Sequence, residues 1–306
     1  MIYKLPRNKY RISITSGCNM KCIYCHNEGN NTCSILTLEQ IEKIIEQSYD
    51  LGLEEVRLTG GDPLTHPNII EICEMINNYG LRVSINTNCI LIEKLLYLVK
   101  NNLINRIVVG LDYYDGKISK NSPIGVPSQI ILQNILKLKE YGCDVSISTV
   151  FSNNFDDIDK LVGWCINNSV RIKIIEEEKN EISDSSDDNY LKLQEYIIKK
   201  YNLKQQIDEL NEINGYFNDF KVVSFFYSFC RLRRCDLCRK IQLRITSNGI
   251  AKNCLYYSNN DVYLFDGKDI NLNLKRYLNN PIDYYFDENL IVPKLHEGKK
   301  LCKKKC

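Results

Sequence analysis

The sequence has no long apolar run and no strong excess of charge of either sign. None of its 306 residues falls in a stretch of 18 or more apolar residues, so we expect no membrane partner. Forty basic residues nearly balance 38 acidic ones, and the net charge of +2 argues against a nucleic-acid binder. The N-terminal residues lack the apolar stretch of a signal peptide, so we predict a cytoplasmic protein.

The composition, 44% hydrophobic and 25% charged, is that of a folded globular protein. The first 175 residues alternate apolar β-type runs with helical patterns, which predicts a parallel sheet covered by helices. Six such units predict an incomplete barrel whose active site lies at the C-terminal strand ends. An acidic stretch at 176–189 then separates a region of different pattern. We therefore predict a partial (β/α)6 TIM barrel over 1–180 and a small C-terminal α+β domain over 181–306.

The local patterns give bounds for the individual elements. Strands are predicted over 11–15, 55–61 with a glycine turn, 82–88, 106–112, 144–151 and 170–176. Helices are predicted over 36–52 with Thr37 as N-cap, 67–80, 91–102, 127–142 and 156–168. In the second region we predict a helix over 190–210, a strand over 216–229 and a hairpin turning at residues 247–249.

Fourteen cysteines form two dense groups and a scatter of single residues. The first group, Cys18, Cys22 and Cys25, directly follows the first predicted strand. In a reducing compartment such groups bind metal more often than they form disulfides. Three thiolates on one loop can hold three irons of a [4Fe–4S] cluster and leave the fourth open to a ligand. Structural zinc is the alternative, but His26 is poorly placed to supply its fourth ligand.

Two segments resemble the signature of radical S-adenosylmethionine (SAM) enzymes. Residues 18–25, CNMKCIYC, match the family's CxxxCxxC motif, and Tyr24 stands where the family carries an aromatic residue. Residues 60–63, GGDP, are similar to the GGEP segment that binds the SAM amino group, with Asp62 in place of glutamate. The resemblance implies a [4Fe–4S] cluster, cleavage of SAM to a 5′-deoxyadenosyl radical and removal of a hydrogen atom from a substrate.

Several residues are candidate contacts of SAM. The resemblance implies contacts from the two matched segments, and the ends of the third and sixth strands are placed to reach the cofactor. The candidate cofactor-binding residues are Tyr24, Gly60, Gly61, Asp62, Pro63, Asn86, Thr87 and Lys173.

The second cysteine group predicts a further cluster. Cys238, Gly249 and Cys254 form a C-x10-G-x4-C pattern that resembles the half-motif of SPASM/Twitch auxiliary-cluster domains. Cys235 completes a CxxC with Cys238, so these two and Cys254 are the favoured ligands of an auxiliary [4Fe–4S] cluster. The fourth ligand is Cys302, Cys306 or none, in which case substrate can bind that iron. Zinc on four of these cysteines is the alternative.

Over most of the chain the resemblance narrows to the MoaA family, the GTP 3′,8-cyclases of molybdenum-cofactor synthesis. RISITSGCNMKCIYC, VRLTGGDPL and LRITSNGIAKNCL have counterparts there in the same order. In that family, positions matching four residues help to bind GTP, and the residue types are kept here. These candidate substrate-binding residues are Arg11, Arg57, Thr59 and Arg244.

Departures from the family remove positive charge. Four cations of the family are replaced here: an arginine by Gly17, a lysine by Glu55, a lysine by Ser146 and an arginine by Gln242. The chain also ends Lys305-Cys306, where the family ends Gly-Gly. A triphosphate carries about four negative charges, so losing several cations should weaken its binding by several kcal/mol, as an order of magnitude. We therefore predict a divergent paralogue that kept the radical machinery and changed its substrate.

The predicted function is hydrogen-atom abstraction from a small-molecule or peptide substrate, with ring closure, epimerisation or dehydrogenation as the outcome. The alternative is a GTP 3′,8-cyclase, and a second alternative is a non-catalytic iron–sulfur protein. The chemistry requires an electron donor such as flavodoxin or ferredoxin. The sequence selects no hydrogen-atom donor, catalytic side chain or oligomeric state.

Overall fold

A computed structural model describes residues 5, 9–22, 24–26, 33–116, 126–177, 188–208, 213–217, 222–226, 243–252, 254 and 261–279. Within these residues no helix combines the length and the apolar character needed to cross a membrane. Side chains are described in the same ranges except at 188, 205–217 and 279.

Six parallel strands in chain order form the centre of the sheet. They are β1 (Lys9–Thr15), β2 (Glu55–Gly60), β3 (Arg82–Thr87), β4 (Arg106–Gly110), β5 (Asp144–Phe151) and β6 (Arg171–Glu176). The helices that connect them are α1 (Leu38–Glu46), α2 (Ile69–Asn78), α3 (Ile92–Lys100), α4 (Ser128–Glu140) and α5 (Phe155–Asn167). This alternation confirms the predicted partial TIM barrel.

Strands from the second region extend this sheet at both edges. They are β9 (Val223–Phe226) beside β6, and β10 (Leu243–Ile245), β11 (Ile250–Lys252) and β12 (Val262–Tyr263) beyond β1. β7 (Lys204–Asp208) and β8 (Ile213–Phe217) form a separate antiparallel pair, and the remaining helices are α6 (Asp188–Lys200) and α7 (Ile270–Asn279). The antiparallel β10–β11 hairpin confirms the predicted turn at 247–249. The division at 180/181 stays a prediction.

One predicted element of the second region is wrong in its bounds. The helix predicted over 190–210 ends at Lys200, and Asn202 then adopts a left-handed backbone with φ of 50°. A left-handed residue ends a helix, so the chain continues into β7. Of the strand predicted over 216–229, residues 216–217 end β8 and residues 223–226 form β9, whereas 218–221 and 227–229 lie outside the described residues.

Local sequence chemistry sets the start of α1. Thr37 Oγ1 accepts a hydrogen bond from Gln40 N at 3.2 Å, and Gln40 Oε1 accepts one from Thr37 N at 3.0 Å. This reciprocal capping box confirms Thr37 as the predicted N-cap. Ile41, Ile44 and Ile45 are buried on the face that packs on the sheet.

Alternation along the strands gives the sheet an apolar face and a polar face. Ile12, Leu58 and Ile85 are fully buried on the side covered by helices. The residues between them point to the other side, which is the barrel interior. Arg11 and Arg57 are on that side, so the interior is lined by polar and charged side chains.

Candidate active site

The loop that carries the first three cysteines begins directly at the end of β1. Cys18 and Cys25 are exposed and Cys22 is partly exposed. Backbone contacts shape the loop: Met20 N donates to Cys18 Sγ at 3.3 Å, and Cys25 N donates to Cys22 O at 3.2 Å.

This loop fits an iron–sulfur cluster better than a single ion. In the described ranges, no three His, Cys, Asp or Glu side chains are close enough to hold one metal ion. A cubane cluster spreads its thiolates farther apart than a single ion does, and Cys18, Cys22 and Cys25 form an exposed loop on which it can sit.

The glycine segment after β2 packs against the backbone of the cysteine loop. Gly61 N donates to Thr15 O and Asp62 N donates to Gly17 O, both at 2.8 Å. A Cβ on Gly61 would lie 2.2 Å from Gly17 O, and one on Gly60 would lie 2.1 Å from Thr15 O. Both glycines are therefore needed for this close contact between the two loops.

The Asp62 carboxylate connects the glycine segment to the end of β3. It is buried, and its oxygens accept hydrogen bonds from Leu64 N at 3.0 Å, Thr87 Oγ1 at 2.7 Å and Asn88 N at 2.8 Å. Burial raises the pKa of Asp62, although the three hydrogen bonds oppose the shift. The side chains of Asp62 and Thr87 are thus hydrogen-bonded to each other. Their contact with SAM stays a prediction.

The sequence analysis did not single out Asp112, which follows β4 directly. Its carboxylate accepts a hydrogen bond from the Tyr24 hydroxyl. Burial raises the pKa of Asp112 to about 6, although hydrogen bonds from Tyr24 and Val150 lower it. Burial and the neighbouring Asp112 also raise the pKa of Tyr24. The signal available in the sequence was only that Asp112 lies at the C-terminal end of a barrel strand.

Three of the four predicted substrate-binding residues share one register position on adjacent strands. Arg11 on β1 is paired with Arg244 on β10 and with Arg57 on β2. Two polar atoms lie further along the same face: Thr59 Oγ1 and Asn86 Oδ1 are buried and have no hydrogen-bond partner within the described residues. Buried polar atoms are usually bonded to something, so this face is suited to receive a polar ligand.

Glu55 introduces a negative charge into this arginine row. Its Oε1 lies 3.6 Å from Arg57 Nη2, and both side chains are less than one-fifth exposed, at 18% and 19%. The same oxygen accepts a hydrogen bond from Ser84 Oγ at 2.9 Å. Burial alone would raise the pKa of Glu55, but this hydrogen bond and the charges of Lys9, Arg57 and Arg82 lower it. Glu55 is therefore ionised and offsets the charge of Arg57.

Lys173 is a predicted cofactor-binding residue that also lies on a barrel strand. The Lys173 ammonium on β6 lies 3.7 Å from the ring centroid of Phe226 on β9. Ser146, where the family has lysine, is buried, and its hydroxyl donates to Ile107 O at 3.5 Å. The β5 position therefore offers no positive charge to a ligand.

Cys254, one of the predicted auxiliary-cluster ligands, lies two residues after the end of β11. At the hairpin turn, Ser247 Oγ is 2.6 Å from the hydroxyl of Ser34, in the segment that follows the first cysteine loop. The remaining predicted auxiliary positions, Cys235, Cys238, Cys302 and Cys306, and also Gln242, lie outside the described residues.

The family model described as the Radical SAM superfamily matches residues 12–165. This chain belongs to the radical SAM superfamily. Its match begins in β1 and includes the cysteine loop, the glycine segment and all strands up to β5. The protein is therefore an enzyme, and the alternative of a non-catalytic iron–sulfur protein is wrong. Membership of the superfamily implies a [4Fe–4S] cluster and SAM.

Relatives of this radical SAM enzyme confirm the resemblance to the MoaA family. A Methanococcus aeolicus protein named "Probable GTP 3′,8-cyclase" is 30% identical over 274 residues, which are 85% of this chain and 91% of the relative. Among solved structures, Streptococcus suis SuiB bound to S-adenosylmethionine has a TM-score of 0.65 at 19% identity and covers 92% of this chain. The chain spans 65% of that SuiB chain.

A second solved structure shares the fold. The structure described as native anSMEcpe with bound AdoMet and Cp18Cys peptide has a TM-score of 0.62 at 18% identity. The match covers 89% of this radical SAM chain and 80% of that one. At these identities the likeness establishes the fold and no more.

Proposed function

We propose that this radical SAM enzyme acts on a substrate other than GTP, namely a small molecule or short peptide that carries few negative charges and an amino group. Ring closure, epimerisation and dehydrogenation are the reaction classes that suit hydrogen-atom abstraction from such a substrate. The observation that carries the proposal is the buried ion pair between Glu55 and Arg57 within the arginine row.

The loops at the C-terminal ends of β1 and β2 are suited to the chemistry that radical SAM enzymes have in common. Cys18, Cys22 and Cys25 would hold the cluster, and residues 60–63 would bind SAM beside it. When bound, the two supply one-electron chemistry that removes a hydrogen atom from an unreactive carbon. The protein's part is to hold both loops in contact, through Gly61 N and Asp62 N, and to surround the reacting atoms with strands that exclude water.

The electrostatics of the interior disfavour a triphosphate. Two unit charges about 4 Å apart near a protein surface interact by about 4 kcal/mol. Where the family has a lysine, Glu55 repels a phosphate and also holds the Arg57 guanidinium. A carboxylate or single phosphate can still bind Arg11 and Arg244, and an amino group can donate to Glu55. A zwitterion such as an amino acid or peptide end has this pattern of charge.

GTP 3′,8-cyclisation is the second candidate function. Arg11, Arg57, Thr59 and Arg244 keep the residue types of the family, and three of them lie side by side in register. The M. aeolicus relative named for this activity is similar over most of its length. A GTP-derived product would establish this function in place of the first.

Three further features complete the proposal. Cys254 would bind an auxiliary [4Fe–4S] cluster together with Cys235, Cys238 and one or neither of Cys302 and Cys306. Short peptides are included as a candidate substrate class because the anSMEcpe structure, which shares the fold, holds a Cp18Cys peptide. A cytoplasmic one-electron donor of the flavodoxin or ferredoxin kind would reduce the clusters.

The test is substrate-stimulated formation of 5′-deoxyadenosine. The anaerobically reconstituted enzyme is given SAM, a reductant and one candidate at a time from three sets: nucleoside triphosphates, zwitterionic small molecules and short peptides. We expect a zwitterion or peptide to increase the rate and to be converted to a new product. Stimulation by nucleoside triphosphates alone would overturn the proposal.

A further inference from the structure

Within the described residues, hydrogen bonds from neighbouring loops hold the cysteine loop at its Cys18 end and at Tyr24. At the Cys18 end, Gly17 O accepts hydrogen bonds from Asp62 N at 2.8 Å and Thr65 Oγ1 at 3.0 Å. Asn88 Nδ2 donates to Asn19 Oδ1 at 2.6 Å on the same side. These contacts come from the loops after β2 and β3 and lie at the Cys18 end of the loop.

The second anchor, at Tyr24, comes from the end of β4, the strand beside β3 in the same sheet. Asp112, which is 4% exposed, accepts the Tyr24 hydroxyl on one carboxylate oxygen and Val150 N, at 2.9 Å, on the other. Its backbone oxygen accepts a hydrogen bond from Asn154 Nδ2 at 2.6 Å. Asp112 is therefore fixed by β5 and by the start of α5 before it contacts the loop.

Tyr24 transmits this contact to the cysteines on either side of it in the chain. Tyr24 lies two residues after Cys22 and directly before Cys25. A hydrogen bond to a buried carboxylate is charge-assisted and roughly twice as strong as a neutral one. The position of the Tyr24 ring, and with it the Cys22–Cys25 end of the loop, is thus set by the end of β4.

We propose that Asp112 is a positioning residue that, through Tyr24, fixes the Cys22–Cys25 end of the loop so that the cluster and SAM meet in a productive arrangement. This role rests on membership of the superfamily and is independent of the substrate. It predicts that Asp112 and Tyr24 act as one unit on SAM binding.

The test compares Tyr24→Phe, Asp112→Asn and the double variant with the wild type, all anaerobically reconstituted. The matched control is Tyr201→Phe, which removes another tyrosine–aspartate hydrogen bond, from Tyr201 Oη to Asp159 Oδ1 at 3.0 Å, remote from the loop. For each protein the dissociation constant of SAM, the electron paramagnetic resonance spectrum of the reduced cluster with SAM, and the melting temperature are measured.

We expect each single variant to weaken SAM binding about tenfold and to change the spectrum, and the double variant to be no worse than either single one. The control should bind SAM within about twofold of the wild type. Unchanged SAM affinity, or effects of the two changes that simply add, would overturn the proposal. If Asp112→Asn fails to fold, Tyr24→Phe, which removes one oxygen atom, decides the question by its SAM affinity and spectrum.

Discussion

Glu55 Oε1 lies 3.6 Å from Arg57 Nη2 on the interior face of β2, and both side chains are largely buried. The two residues are separated by one position, so alternation along the strand puts them on the same face. Arg57 also directs its Nε to Ser84 Oγ at 3.4 Å, so the pair is held on two strands. An arginine held in this way has part of its charge offset before any substrate arrives.

Replacing Glu55 by lysine should give the barrel interior an affinity for triphosphates. The change removes one negative charge and adds one positive charge beside Arg57, so we expect GTP to bind at least about tenfold more tightly. Glu54→Lys is the matched control, because the Glu54 side chain is 60% exposed and its Oε2 lies 3.8 Å from Arg82 Nη2. Equilibrium dialysis with GTP measures both variants. Equal GTP affinities for the two would show that Glu55 has no part in substrate choice.

Adding a methyl group at Gly61 should separate the glycine segment from the cysteine loop. The new Cβ would lie 2.2 Å from Gly17 O, so the two backbones must move apart. We expect Gly61→Ala to lose most SAM binding, as measured by calorimetry under anaerobic conditions. Gly80→Ala is the control: it has φ of 72° but nothing within 4 Å, so it should lose about 1 kcal/mol of stability and keep SAM affinity. Normal SAM binding by Gly61→Ala would contradict the close contact.

Removal of the Asp62 carboxylate leaves three donors without their acceptor. Asp62→Ala should lower the free energy of unfolding by about 3 kcal/mol or more, since each buried unsatisfied group costs about 1–3 kcal/mol. Asp115→Ala, which removes an exposed ion pair with Lys160, should lose less than about 1 kcal/mol. Denaturant unfolding monitored by circular dichroism compares the two, and similar losses would show that the Asp62 contacts contribute little.

Acidification should weaken the fold through His66. The Nδ1 of this buried ring accepts a hydrogen bond from Asn68 N at 3.1 Å, and its Nε2–H donates to Leu36 O at 2.9 Å, so the neutral ring satisfies both contacts. Burial lowers its pKa below the ordinary 6.5. Stability is therefore full above pH 6.5 and falls below it, by up to about 1.4 kcal/mol per pH unit, until the ring protonates in the folded state.

The variant His66→Gln isolates this contribution, because His26 and His296 remain and keep their own pH dependence. Melting temperatures between pH 8 and pH 5.5 should decline less steeply in the variant than in the wild type. Parallel curves would mean that the pH dependence arises at other groups.

The barrel strands could be predicted from the sequence because their apolar runs are bounded by turns and match buried parallel strands. RIVVGLD and DVSISTVF lie within one or two residues of β4 and β5. The end of α6 could not be predicted, because apolar residues continue at helical spacing past Asn202, whose left-handed backbone is a property of the folded chain.

The candidate site could also be predicted only in part. Motif spacing identified the cysteine loop and the glycine segment, but the reason for two glycines, contact with the backbone of Thr15 and Gly17, needed coordinates. Asp112 was missed because a single aspartate after a strand has no pattern of its own. The Glu55 charge was visible in the sequence, whereas its ion pair with Arg57 depends on which face of β2 both residues occupy.

The most direct test of the account is to give the reconstituted enzyme SAM and a reductant, with and without GTP, and to follow 5′-deoxyadenosine and GTP-derived products by mass spectrometry. A variant with Cys18, Cys22 and Cys25 all replaced by alanine serves as the control that lacks the SAM-binding cluster. We predict 5′-deoxyadenosine from the wild type alone, at a slow rate that GTP does not change. A GTP isomer formed in equal amount to 5′-deoxyadenosine would contradict the account and establish a GTP 3′,8-cyclase.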